Sequence, residues 1–496
     1  MAPKDGDNST PVVQDAPSAP HSIFDRKQKG LIVLLVSTAA TFSTLASNIY
    51  FPAITTIAHD LNVSVQLVNL TITSFLIFQG ITPSLWGPIS DVKGRRTAYA
   101  CTFIVSVGAC IGLAETKNYA TLIILRCLQS AGSASTIAIG SGVIGDITTR
   151  ADRGSYMGFF QGGFIVPFAV GPVIGGALAG TLGWRSIFWF LTIYSIVLLL
   201  LLVFLLPETL RSIVANGGLL PPNRLGVYPL NLYQRFTKVI WNAETAPEQL
   251  APRKRIDVFG PFRILTKRYA FPIIIFFAIY FAVWQMCNTA MSTLFKEHYG
   301  LTEIQAGLTF LANGMGSIIG TIVSGRVLDM DYRRMQAKRD MQSPIEAERG
   351  HSSTADDDFP LEKARLRLLP IFLLMQCMSV LVFGWTIHYS VHIAAPIVAT
   401  FVTGWTAVST QSIVTTYLVD IFPDQSAAAT ASLNLARCLS AAGGASFVMP
   451  LIDRVGTGVA VTICVAVQVV TAAALAVQWK YAGAWRKISK QAEAGQ

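Results

Sequence analysis

Two arginines stand inside otherwise apolar stretches. Arg126 lies in Leu122-Ile-Ile-Leu-Arg126-Cys-Leu-Gln129, and Arg437 in Leu433-Asn434-Leu-Ala-Arg437-Cys-Leu. A charge deep in a bilayer costs roughly 2.5–3.5 kcal/mol on an insertion scale, so each is a candidate for binding an anion or for proton coupling. The bland alternative is a structural pairing with backbone carbonyls or an aromatic face. No Asp or Glu stands in the middle of these stretches. The acids fall at their ends or in loops, as do Asp60, Asp91, Glu115, Asp146, Asp152, Glu297, Glu303 and Asp420. A cation carrier would want a buried carboxylate. Arginines instead favour an anionic or neutral substrate, or proton binding at a gate carboxylate, and Asp146 and Asp420 read as gate residues. Asn48, Tyr50, Gln129, Gln161, Asn313, Trp405 and Gln411 could complete a polar and aromatic cavity. So could Trp284, Gln285 and Asn288, which fall within two helical turns. Asn434 and Arg437, spaced i, i+3, share a helix face. Each could equally serve helix–helix hydrogen bonding.

A second constellation occurs twice. Gly87-Pro-Ile-Ser-Asp91-Val-Lys-Gly94-Arg95-Arg96 and Gly325-Arg-Val-Leu-Asp329-Met-Asp-Tyr-Arg333-Arg334 both read G-x-x-x-D-x-x-x-R-R. Glycine lets helices approach closely. An Asp at a helix end can face a neighbouring helix N-terminus or the arginines that follow it. Such a cluster can hold helix ends together in one state and release them in another. The C-terminal copy has Tyr332 in place of Gly94. A plain basic loop is the alternative for both.

The elements that must position these residues are membrane helices. Of the 496 residues, 52% are hydrophobic and 13% charged, with a mean hydropathy of +0.50. A soluble domain carries about 25% charged residues, so lipid must solvate most of this chain. Apolar segments of spanning length are expected at 30–52, 66–89, 97–114, 120–145, 154–180, 186–206, 270–294, 304–327, 366–387, 393–419, 426–450 and 457–479. The fold class is therefore an all-α polytopic membrane protein, with two six-helix bundles at 30–206 and 270–480. The two copies of the motif stand at the same place in each half, as in transporters built from repeats. A disordered tail is expected at 1–29, a central loop at 207–269, a charged loop at 329–365 and a C-terminal tail at 481–496.

The net charge is +10. With the N-terminus inside, the outer connectors hold only Lys117, Arg185, Lys296 and Arg454, and almost all other Lys and Arg fall inside. This bias makes both termini cytoplasmic. It also assigns the basic pI to a membrane face rather than to nucleic acid. Trp184 and Trp189 read as interfacial belt residues. All seven cysteines lie in apolar runs without a CxxC pair and read as packing residues. No Gly-Lys dipeptide occurs, so the P-loop is absent, and neither H-E-x-x-H nor G-x-S-x-G is present. No enzyme activity, metal or cofactor is expected.

The first motif resembles the signature between spans two and three of the major facilitator superfamily. Arg126-Cys-Leu-Gln129-Ser-Ala-Gly132 resembles its R-x-x-Q-G motif. Gly171-Pro172-Val-Ile-Gly175-Gly176 resembles the antiporter motif of span five, with Pro167 where a further Gly is usual. Ser47-Asn48-Ile49-Tyr50-Phe51-Pro52, Gly183-Trp-Arg-Ser-Ile-Phe-Trp189 and Pro207-Glu-Thr-Leu-Arg211 resemble the fungal twelve-spanner drug:proton antiporters, which include quinidine-type exporters and a citrate-exporter branch. That branch has an added arginine on span five, near Phe164 here. The resemblance implies alternating access, with spans 1, 4, 7 and 10 lining a central site. Small residues at Gly171 and Gly175 would bring spans five and eight together, and Pro172 and Gly176 complete the gating motif. The implied function is export of a drug-like molecule or secondary metabolite by proton antiport, from a monomer in the plasma membrane. The alternatives are an organic-acid exporter, suggested by the arginines, and a non-transporting receptor on the same fold.

Overall fold

Twelve helices long and apolar enough to cross a membrane dominate the computed structural model, which describes residues 21–149, 152–221, 227–237, 259–348, 361–422 and 426–494. They are Arg26–Asp60, Val65–Lys93, Arg95–Ala114, Tyr119–Ile147, Tyr156–Leu182 and Arg185–Leu205, then Phe271–Tyr299, Glu303–Val323, Leu369–His388, Ala394–Ile421, Ala428–Val455 and Thr457–Arg486. We number them spans 1 to 12. No strand occurs among the described residues. Helices are the expected answer for such a sequence, because a bilayer offers no partner to an unpaired backbone N–H or C=O.

Spans 1–6 and 7–12 form two halves. They meet along two seams, span 5 against span 8 and span 2 against span 11. Connectors after odd-numbered spans are short and lie on what we call the short-loop face. The described parts of the two terminal segments and of the segment between spans 6 and 7 lie on the opposite, central-loop face.

Three features differ from the sequence expectations. First, residues 21–29 do not form a free tail. Ile23 and Phe24 are buried, Phe24 packs edge-on to Tyr233, and span 1 already begins at Arg26. The segment is clasped by the central loop: the Ile23 N–H donates to the Asn216 carbonyl at 3.0 Å, and Arg211 donates to the His21 carbonyl at 2.5 Å. Residues 1–20 lie outside the described residues.

Second, the charged stretch after span 8 is not a loop from residue 329 onward. One helix runs unbroken over Glu303–Glu348. The glycine explains the contrast between the halves. Gly94, with φ +109°, ends the span 2 helix and opens that of span 3. A side chain is rarely tolerated at such a φ. Tyr332, its counterpart, carries no such instruction, and the helix continues. Third, Trp184 is not a lipid-facing belt residue: it is buried and donates its indole N–H to Asp60 at 2.9 Å, whereas Trp189 is exposed.

Candidate functional site

The two arginines belong to different halves and differ in surroundings. Arg126 is 1% exposed. Its guanidinium is sandwiched between the rings of Tyr50, at 4.3 Å, and Phe75, at 4.4 Å. Nη1 donates to the Gln129 side chain at 2.6 Å and to the Ala46 carbonyl at 3.3 Å. Gln129 in turn donates to the Cys110 sulfur, and the Tyr50 hydroxyl meets Thr71 at 2.9 Å. A guanidinium over a desolvated ring gains about 2 kcal/mol, so two such faces hold Arg126 firmly among spans 1 to 4. Arg437 is only partly buried. It lies over one ring, Phe281 of span 7, at 4.8 Å. It donates to Asn434 at 2.7 Å and to Gln411 at 3.4 Å, both neutral amide oxygens. No carboxylate among the described residues lies within ion-pair distance of either arginine.

The structure brings together most of the remaining predicted cavity residues of the C-terminal half. The Trp284 indole donates to Asn313 at 3.2 Å, and Asn313 donates to Asn288. Trp284 packs on Phe281, with centroids 5.0 Å apart, and across the seam on Phe168, at 5.5 Å. Gln285 is buried on the same helix. Asn434 donates to the Gln79 carbonyl of span 2, so the Arg437 cluster borders the seam between the halves. Asn48 turns inward along its own helix, donating to the Thr44 carbonyl at 2.7 Å.

The motif after span 2 forms an ion cluster on the central-loop face. Arg95 pairs with Asp91 at 2.5 Å and with Asp146 at 3.0 Å, and also donates to Ser90 at 2.7 Å. Its guanidinium lies against Gly142, where any Cβ would collide with it. Sequence reasoning missed Glu208. This residue is 4% exposed, and its carboxylate accepts the backbone N–H groups of Arg95 at 2.9 Å, Arg96 at 3.4 Å, and Thr209 and Leu210 at 3.0 Å each. It thus caps the N-terminus of span 3, where unpaired donors and the helix dipole both favour an anion. A Cβ at Gly94 would strike this carboxylate, a second reason for glycine there. Arg96 turns to the Val203 carbonyl instead, at 2.6 Å. The run Pro207-Glu-Thr-Leu-Arg211 was the available signal.

The C-terminal half repeats part of this cluster with other residues. Asp420, at the end of span 10, pairs with Arg365 at 2.8 Å, as Asp146 at the end of span 4 pairs with Arg95. Arg365 precedes span 9 in the fold and took no part in the sequence repeat. For Gly325, Asp329 and Arg333 the structure describes the helical backbone alone, and their side chains lie outside the described residues.

The glycines of span 5 divide between two neighbours. A Cβ on Gly176 would strike the Glu303 carbonyl of span 8, and the Pro172 carbonyl lies against Gly307. Gly171 and Gly175 face span 1 instead, against Asn48 and the Ile49 carbonyl. The expectation that Gly171 and Gly175 serve the span 5–span 8 contact is corrected; the neighbouring Gly176 makes that contact instead. A helix shows a different residue every 100°, so adjacent glycines necessarily face different partners. Gly87 approaches nothing within 4 Å.

Contacts between the halves cluster toward the short-loop face. Lys296 donates to Thr55 at 2.6 Å, and Thr56 donates to Glu303 at 3.0 Å, while Lys296 and Glu303 are joined to each other within the second half at 2.9 Å. Gln66 donates to Asp453 at 2.8 Å, and Phe51 stacks on Phe310. Midway, Thr73 meets Ser446 and Gly80 abuts Cys438. Nearer the central-loop face, a Cβ at Gly87, Gly158 or Gly162 meets only open space. Among the described residues the halves touch at the short-loop face and midway and part toward the central-loop face, as a V.

The profile of the Major Facilitator Superfamily matches residues 36–445. Citrate exporter 1 of Aspergillus niger is 37% identical over 98% of this chain and 94% of its own length. The multidrug transporter QDR2 of Candida glabrata is 37% identical over 87% of this chain and 76% of its own. The antiporter QDR2 of Candida albicans is 34% identical over 88% and 86%. The solved structure of the human organic anion transporter MFSD10 (TETRAN) shares the fold, with a TM-score of 0.57 at 14% identity, over 90% of this chain and 99% of that one. With a family profile spanning most of the chain and relatives that are transporters and not enzymes, this multi-pass membrane protein belongs to the major facilitator superfamily.

Proposed function

We propose that the chain is a secondary exporter of a small organic compound, a drug-like molecule or secondary metabolite, working by alternating access and driven by proton antiport. The observation that carries this reading is the V: two six-helix halves are joined by breakable polar contacts at one face and part toward the other. The central-loop face, with both terminal segments, is the cytoplasmic one, because it holds most of the Lys and Arg. The V is then the inward-facing state of a plasma-membrane monomer. The Asp91–Arg95–Asp146 and Arg365–Asp420 pairs act as inner gate elements, and Gly171, Pro172, Gly175 and Gly176 permit the helix approach on which rocking depends. The multidrug names of the QDR2 relatives support the substrate class.

A second reading, export of an organic acid, is favoured by Arg437, which has no carboxylate partner among the described residues, and by the citrate-exporter relative. The test is reconstitution into proteoliposomes with an imposed pH gradient and a panel of lipophilic drugs and organic acids. Uptake that collapses when a protonophore dissipates the gradient is expected. Absence of gradient-driven movement across the panel would overturn proton-coupled export.

A further inference from the structure

The geometry points to Arg437, rather than Arg126, as the substrate-facing guanidinium of this transporter, and to a small monocarboxylate with an apolar or aromatic body as its ligand class. The inference rests on the transporter reading above and narrows its substrate. Its ground is the difference between the two arginines. Arg126 has a ring on both faces and is sealed at 1% exposure, so no carboxylate can reach it without dismantling the sandwich. Arg437 has a ring on one face, is partly exposed, and donates to the neutral oxygens of Asn434 and Gln411. A guanidinium carries five N–H donors in a fork that matches a carboxylate. Neutral amide oxygens do not neutralise it. An incoming carboxylate would displace one of them and cancel the charge, a charge-assisted bond in a water-poor site.

The position is suited to release and capture on the central-loop side. Arg437, Gln411 and Phe281 each lie roughly 15 Å from the central-loop end of their helices, at 1.5 Å per residue. That is the side on which the V parts. Beside them Phe281, Trp284 and Phe168 form a packed aromatic cluster across the seam, with Phe168 the partly exposed ring and Phe281 and Trp284 buried behind it. One usable positive charge next to three rings suits one carboxylate on an apolar body. A tricarboxylate would bring two further charges with no partner, each costly to desolvate.

The test uses the full chain in lipid nanodiscs and direct binding of three tritiated probes: 1-naphthoate, the neutral 1-naphthamide, and citrate. We expect naphthoate to bind at least tenfold tighter than either of the others. Arg437→Gln should lower naphthoate affinity about 10- to 100-fold, the value of one charge-assisted hydrogen bond, and leave naphthamide binding unchanged. Because an arginine deletion can disturb folding, Asn434→Asp supplies a second probe. It places a carboxylate on the guanidinium that Asn434 already holds, so it should abolish the preference for naphthoate over naphthamide while the protein keeps or gains thermal stability. Naphthoate binding unchanged in both variants overturns the inference, as does failure of the wild-type chain to bind naphthoate, or citrate binding tighter than naphthoate. If naphthoate binds as expected but no probe moves in proteoliposomes under a pH gradient, the transport reading fails and the binding site stands.

Discussion

Replacing Glu208 by Gln tests whether a distant side chain sets the start of span 3. The carboxylate accepts four backbone N–H groups, two of them from Arg95 and Arg96 at the helix start. Glutamine keeps one carbonyl oxygen, but puts an NH2 donor where the second oxygen faced a donor. A hydrogen bond to a charged acceptor contributes about 1.5–3 kcal/mol against 0.5–1.5 kcal/mol for a neutral one, and an anion at a helix N-terminus adds about 0.3–1 kcal/mol. Losing the charge on the two bonds at the helix start, together with the dipole contribution, comes to about 2–4 kcal/mol. At 1.4 kcal/mol per decade this is a rise of roughly 30- to 1000-fold in the local opening constant. The assay is amide hydrogen exchange, read by mass spectrometry on the peptide that contains Arg95 and Arg96. The acceleration should be confined to that peptide and the 207–211 segment, since other helices do not use this carboxylate. Exchange at Arg95 and Arg96 within threefold of wild type would refute the capping argument.

Other consequences are as direct. Asp91→Asn should leave thermal stability within about 1 kcal/mol, because the Asp91 side chain is 37% exposed and Arg95 keeps Asp146; turnover should fall strongly at equal expression, and normal turnover would remove Asp91 from the gate. Gly176→Leu should hold the seam open at the short-loop face, where it meets the Glu303 carbonyl. A cysteine placed at Phe310 should then react faster with an impermeant maleimide added on that face, and an unchanged rate would count against the contact. Glu303→Gln loosens the tie to Lys296 and Thr56. The Lys296 pair lies within the second half, so of these two ties the Thr56 bond is the one that crosses between the halves; it is worth about 1 kcal/mol, so the short-loop face should open by no more than about fivefold, measured by the same labelling, and a larger shift would mean that this bond dominates closure.

What could be read in advance depended on how local the physics was. Asp91, Gly94 and Arg95 were legible because one turn and one helix start hold them together in a ten-residue run. Glu208 was not, although it completes the same cluster, because it arrives from 113 positions along the chain. Arg365 was missed for a related reason. The sequence repeat pointed to Arg333, but without a glycine at 332 the helix runs on, and another arginine meets Asp420. The small residues of span 5 announced close packing, and only the helix rotation decides that Gly175 meets span 1 while Gly176 meets span 8. The two arginines looked equivalent as sequence. Burial and aromatic neighbours separate them, and neither is written in their flanking residues. Twelve spans, by contrast, followed from hydropathy and length alone, the strongest signals such a chain carries.

The clasp on the N-terminal segment turns His21 and Arg486, toward the two ends of the described chain, into measuring points. His21 is tied through Arg211 to the first half, and Arg486 is tied through Glu362 to the second, at 3.4 Å. Each therefore travels with its own half as a solid attachment, and both stand on the face where the V parts. A pair of spin labels or fluorophores set at these two positions acts as the jaws of a calliper. Their separation tracks the angle between the halves, with no probe placed among the residues that handle substrate.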